Sequence, residues 1–138
     1  MRTLRRIGSL LLVAGILSLV VAATGGTPSG ADPVYNATLK AAHVNSTNPG
    51  FEEGDCPEEG WGWHFVTQGN DTTFLAIKAV FETAGPITEF ISHPNAKHAY
   101  VFTPGPDKLL SAVAEVSGPD LTFNLSHVCG GPTVTTTT

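Results

Sequence analysis

The sequence predicts an all-β fold, a single antiparallel β-sandwich of about seven strands with one disulfide. Three observations predict it. Short runs of β-branched and aromatic residues recur between turn formers, the spacing of sandwich strands. Several of those runs alternate apolar and polar residues, the period of a strand with one buried face. Only two cysteines, Cys56 and Cys129, occur in 138 residues. They lie downstream of an export-like leader, and in an oxidising compartment one bridge between them is the simplest pairing.

The elements follow in order. Asn36 to Val44 supplies an edge strand. Trp61 to Thr67 sets Trp61, Trp63 and Phe65 against Gly62, His64 and Val66. Thr73 to Glu82 places Leu75, Ile77, Ala79 and Phe81 on one face. Ile87 to Ser92 and His98 to Thr103 come next, the latter with His98, Tyr100 and Phe102 in phase. Leu121 to Cys129 puts Leu121, Phe123, Leu125, His127 and Cys129 on a shared face. Residues 107–117 fit two patterns. Asp107 as N-cap, helix formers Leu109, Leu110, Ala112 and Ala114, and Gly118 as a stop read as helix. Leu110, Ala112, Ala114 and Val116 against Ser111, Val113 and Glu115 read as strand. Strand is preferred, because the neighbours are strands and a lone helix would need its own docking face.

Residues 1–31 read as a signal peptide and lead-in. Arg2, Arg5 and Arg6 precede an apolar run from Ile7 to Val21 and then Ala22 and Ala23. Cleavage is expected near residue 23 or near residue 31. A retained anchor fits less well, since a spanning helix needs about 20 apolar residues, and Gly8, Ser9, Gly15 and Ser18 dilute a shorter run. The expectation is therefore a secreted or cell-surface protein with no membrane span after processing. Residues 34–130 form the domain. Residues 131–138 read as a Thr-rich linker or tail, after which a stalk or another module is expected.

The formal net charge is −5, and loss of three leader arginines takes it to −8. Four lysines then face twelve acidic residues. Nucleic acid is excluded as a partner, because such binding needs Lys and Arg to neutralise phosphates.

Three constellations could carry chemistry. His64, His98 and His127 fall on separate strands, and three imidazoles on one face are a borderline ligand set for Zn or Cu. That would make a metal-dependent enzyme. No local ligand pair supports it, and His98 and His127 sit in phase with apolar residues, so they read as core histidines and the site carries no metal. Trp61, Trp63 and Tyr100 are the candidate ligand platform for sugar rings, although aromatics in phase with Phe65 more often fill a core. Glu52, Glu53, Asp55, Glu58 and Glu59 flank Cys56; they lack the spacing of a calcium loop and read as a solvated run. No nucleophile elbow, phosphate loop or dinucleotide fingerprint occurs. Neither catalysis nor a cofactor is expected.

The segments Trp63-His-Phe-Val66, Lys97-His-Ala-Tyr-Val-Phe-Thr-Pro104 and Asn124-Leu-Ser-His-Val-Cys129 resemble together a small secreted module of actinobacterial surface proteins. That module often lies beside Thr/Pro-rich stalks or prealbumin-like domains. The resemblance covers Trp61 to Cys129 and implies an extracellular β-sandwich without a transferable catalytic residue. A Leu-Pro-x-Thr-Gly sorting signal is absent from this sequence. The function expected is a structural or interaction role toward an extracellular protein or polysaccharide. A carbohydrate-binding module of the cell surface is the first alternative, and a three-histidine metalloenzyme the second.

Overall fold

Large side chains from strands distant in sequence meet at one centre, and that meeting curls the sheet. Trp63 packs on Phe81 with ring centroids 4.9 Å apart, and Phe123 takes Phe65 at 5.7 Å and Phe74 at 5.4 Å edge-on. All of these side chains are buried in a single apolar cluster. The computed structural model describes residues 32–131. The expected leader (1–31) and all but the first residue of the expected tail (131–138) lie outside the described residues.

The strands are β1 (Tyr35–Leu39), β2 (Thr47–Asn48), β3 (Trp61–Thr67), β4 (Phe74–Phe81), β5 (Gly85–Ile87), β6 (His98–Thr103), β7 (Asp107–Val116) and β8 (Thr122–Cys129). A short 3-10 turn, Ala41–His43, follows β1 and shortens the edge strand expected over 36–44. The fold is all-β with one disulfide, Cys56–Cys129. It departs from a purely antiparallel sandwich. One eight-stranded sheet runs in the order β5-β4-β7-β1-β8-β3-β6, with β2 on β7. β1 pairs antiparallel with β7 but parallel with β8, so β1 joins two halves that would otherwise be separate layers. Alternation along a strand reveals its faces but not its neighbours, which is why the parallel pair was not legible.

The sheet nearly closes. The chain leaving β5 reaches the free edge of β6, where Ile91 and Tyr100 exchange backbone bonds of 2.9 and 2.8 Å. That contact covers an edge that would otherwise invite pairing with another chain.

Residues 107–116 are strand, and the helix-like signal at Asp107 has another cause. Its carboxylate accepts N–H bonds from Thr83, Ala84 and Lys108, each at 2.8 Å. It therefore caps the turn between β4 and β5, where Gly85 takes a φ of 76°. Burial works against ionising this carboxyl, but the backbone donors outweigh it and hold its pKa below the usual value.

Two face assignments change. Leu75 was expected inside and is 49% exposed, because a register shift between Phe74 and Ala76 brings Phe74 inward instead. The other change comes from a shift between β3 and β8, at His64/Phe65, and it builds the candidate site.

Candidate functional site on the outer face of β3, β6 and β8

Strand β3 is buried on both sides. Trp63 and Phe65 point into the core opposite Val101 and Ala99, all fully enclosed. Gly62, His64 and Val66 point outward, opposite Phe102, Tyr100 and His98. The phase of β6 is therefore the reverse of a core reading for His98. Small residues take its inner face because Trp63 and Phe65 already fill that space.

β8 carries the decisive irregularity. Phe65 pairs with Leu125, but the preceding His64 pairs with His127, so Ser126 is an extra residue. A bulge of this kind reverses which face the following residues occupy. Val128 enters the core, and His127 joins His64 and His98 outside. The expectation that His127 and Cys129 share a face with Phe123 and Leu125 fails at the inserted Ser126.

The three histidines are brought together. His64 Nε2 lies 2.9 Å from His98 Nδ1, and His64 Nδ1 lies 3.2 Å from His127 Nδ1. His127 Nε2 lies 2.8 Å from the carbonyl oxygen of Asp55. A carbonyl only accepts, so His127 donates from Nε2 and, when neutral, accepts at Nδ1. His64 must then donate from Nδ1 and accept at Nε2, and His98 must donate from Nδ1. One direction of hydrogen bonding satisfies all three neutral rings. The lone pair left over is Nε2 of His98.

The hydrogen bonds link the three rings into a relay. Two of the three available lone pairs already accept hydrogen bonds. Among the described residues no group of three His, Cys, Asp or Glu could hold a metal ion. Burial, then the charges that His127 and His98 would carry, lower the His64 pKa to about 4. Burial, then Lys97 and His93, lower that of His98.

Packing fixes the rings. The Tyr100 ring lies flat on His64, with centroids 4.2 Å apart and 2° between planes. A Cβ on Gly54 would overlap the His127 ring, so the loop before Cys56 presses directly on it. The disulfide crosses the same face, and a Cβ on Gly62 would lie 2.6 Å from Cys129 Sγ and 2.8 Å from Cys56 Sγ. The bridged Cα atoms are 5.9 Å apart, within the span a disulfide requires.

Two residues that sequence reasoning missed complete the edge of β8. Beyond the point where β1 ends, the Leu125 N–H donates to His43 Nδ1 at 3.0 Å, and Val128 then exchanges backbone bonds with Glu52 and Gly54. Asn48, fully buried, donates from Nδ2 to the carbonyls of Gly62 (3.1 Å) and Cys129 (2.8 Å), while its Oδ1 has no partner among the described residues. Neither residue stands in a motif; only the ladder's need for donors and acceptors reveals them.

The three platform candidates do not share a face. Trp63 is buried inside, and its indole N–H donates to Thr103 Oγ1 at 3.1 Å. Trp61 is half-buried against Gly131. Tyr100 is on the outer face, where it lines a recess of about 300 Å³ with Phe90, Ile91, Phe102, Ile87 and the glutamates 58, 59 and 89. A larger open groove of about 680 Å³ runs over β4, β7 and β1 past exposed Leu75 and Val113. Among the described residues it gathers no unpartnered buried polar atom. No protein-family model, curated protein or solved structure matches the chain.

Proposed function

We propose that this chain is a secreted or cell-surface binding module, related to the small actinobacterial surface modules it resembles, with a non-catalytic interaction role. The observation that carries the reading is the recess beside Tyr100. Aromatic and aliphatic walls with a few polar groups are the composition of a ligand site. Its floor is rigid, because Tyr100 is stacked on His64 and the histidine relay is tied to the loop behind the disulfide. The relay supports a structural role: each ring nitrogen but one is engaged in holding the strands and the loop together.

Binding without conversion is the testable content. Purified, disulfide-intact chain titrated with cell-envelope polysaccharide or extracellular protein fractions should show amide shifts clustered on Tyr100, Phe102 and Phe90. Turnover of glycoside or peptide substrates, abolished by His64→Ala, would overturn the reading. Ligand-induced shifts confined to other faces would also overturn it.

A further inference from the structure

We propose that the recess beside Tyr100 binds an alkylammonium group, the chemistry of a lysine side chain presented by an extracellular partner. This deepens the binding reading above and rests on it. Glutamates 58, 59 and 89 border the recess, and among the described residues no lysine lines it. Phe90, Phe102 and Tyr100 supply aromatic walls, and an ammonium is drawn to ring faces by their quadrupole. An aliphatic stem finds Ile87 and Ile91.

The second observation is the Tyr100 hydroxyl. Tyr100 is only 6% exposed and is locked by its stack on His64. Within the described residues its hydroxyl makes no hydrogen bond, although the side chain borders the recess. Burial and then Asp55 raise the phenol pKa, so the oxygen is neutral and offers lone pairs to an N–H donor.

Other ligand classes fit less well. An anion would meet the carboxylates of Glu58 and Glu89. A bare metal ion needs converging oxygens, and among the described residues no such group of three exists. Carboxylates spread around an aromatic recess suit a larger, softer cation on a stem. The surplus of acidic over basic residues also raises the local concentration of cations.

The probes are Nα-acetyl-lysine methylamide and its uncharged isostere, Nα-acetyl-norleucine methylamide, titrated into the full chain and followed by amide shifts. The lysine probe should shift Tyr100, Phe102 and Glu89 and bind about tenfold more tightly than the norleucine probe. Glu58→Gln combined with Glu89→Gln, both at exposed positions, should weaken it about tenfold with an unchanged melting curve. Equal affinity for the two probes overturns the ammonium assignment. If neither probe binds while envelope polysaccharide shifts the same residues, the ammonium assignment fails and the binding reading stands. If nothing shifts these residues, both fail.

Discussion

The two faces of β3 are buried by different physics. Inside, Trp63 and Phe65 are enclosed by Phe81, Phe123, Val101 and Ala99, and area removed from water supplies the stabilisation. Outside, His64 is nearly as enclosed, at 6% exposure, but it is held by ring nitrogens, one stacked phenol and a loop behind a disulfide. The buried inner cluster carries no side chain that titrates or forms a disulfide. The outer layer depends on neutral imidazoles and an intact bridge, so conditions that leave the core untouched should loosen the surface that carries the recess.

The largest expected effect lies inside. Trp63→Ala should cost about 3–5 kcal/mol, since it empties a full indole volume and leaves Thr103 Oγ1 without its donor. His64→Ala should cost about 1–3 kcal/mol, the range of losing buried hydrogen bonds and leaving their partners unmatched. Urea unfolding of both variants measures the gap. Equal losses would mean that the relay stabilises as much as the core.

Bridge reduction comes next. In the chain-entropy model a loop of this length is worth about 4 kcal/mol, a large share of the roughly 5–15 kcal/mol that a domain possesses. Without the bridge, residues 55–60 retain the Asp55 carbonyl contact to His127 and little other backbone pairing. Reduction or Cys129→Ala should therefore raise amide exchange in Asp55 to Trp61 before it does so in β4 or β7. An unchanged melt in reductant would show that the outer layer does not need its clamp.

The contrast also explains what was legible. The strands at 61–67, 74–81, 98–103 and 122–129 fall close to where alternation put them, because apolar period follows from burial of one face. The bridge between Cys56 and Cys129 was legible from the cysteine number and the expectation of export. The parallel β1–β8 pair and the three register shifts were not, because pairing partners and bulges leave no period in the sequence. The inserted Ser126 is the instructive case: one extra residue turned a core histidine into the end of a relay. Likewise Asp107 gave a true capping signal, but the capped element was a turn 23 residues away in sequence from Ala84's acceptor.

Acid is the third lever. Unfolded, His64 takes up a proton near 6.5; folded, it does so only near about 4. Between those values the unfolded chain binds more protons, so stability falls as pH drops from 6.5 toward 4 and then levels. The lowered pKa values of His98 and His43 act in the same sense. From His64 the loss reaches up to about 3 kcal/mol. Melting followed across that window should decline, and His64→Phe should flatten the decline. A melt independent of pH from 7 down to 4 would contradict a neutral relay.

The smallest effect separates the two ends of the relay. Each neighbour lowers the His64 pKa, His127 more than His98, because a charge placed beside a protonated His64 repels it. Removing a neighbour should therefore raise the His64 titration toward 6.5, and His127→Ala should raise it further than His98→Ala does. The cost in stability follows the same order. His127→Ala also removes the tie to the Asp55 carbonyl and leaves a void under Gly54, whereas His98→Ala deletes one donor to His64 Nε2, worth about 1 kcal/mol. Ring-nitrogen NMR of the parent chain should show hydrogen on Nδ1 of His64 and His98 and on Nε2 of His127. The opposite tautomer at His64, or a larger pKa rise in His98→Ala, would reverse the direction assigned to the relay.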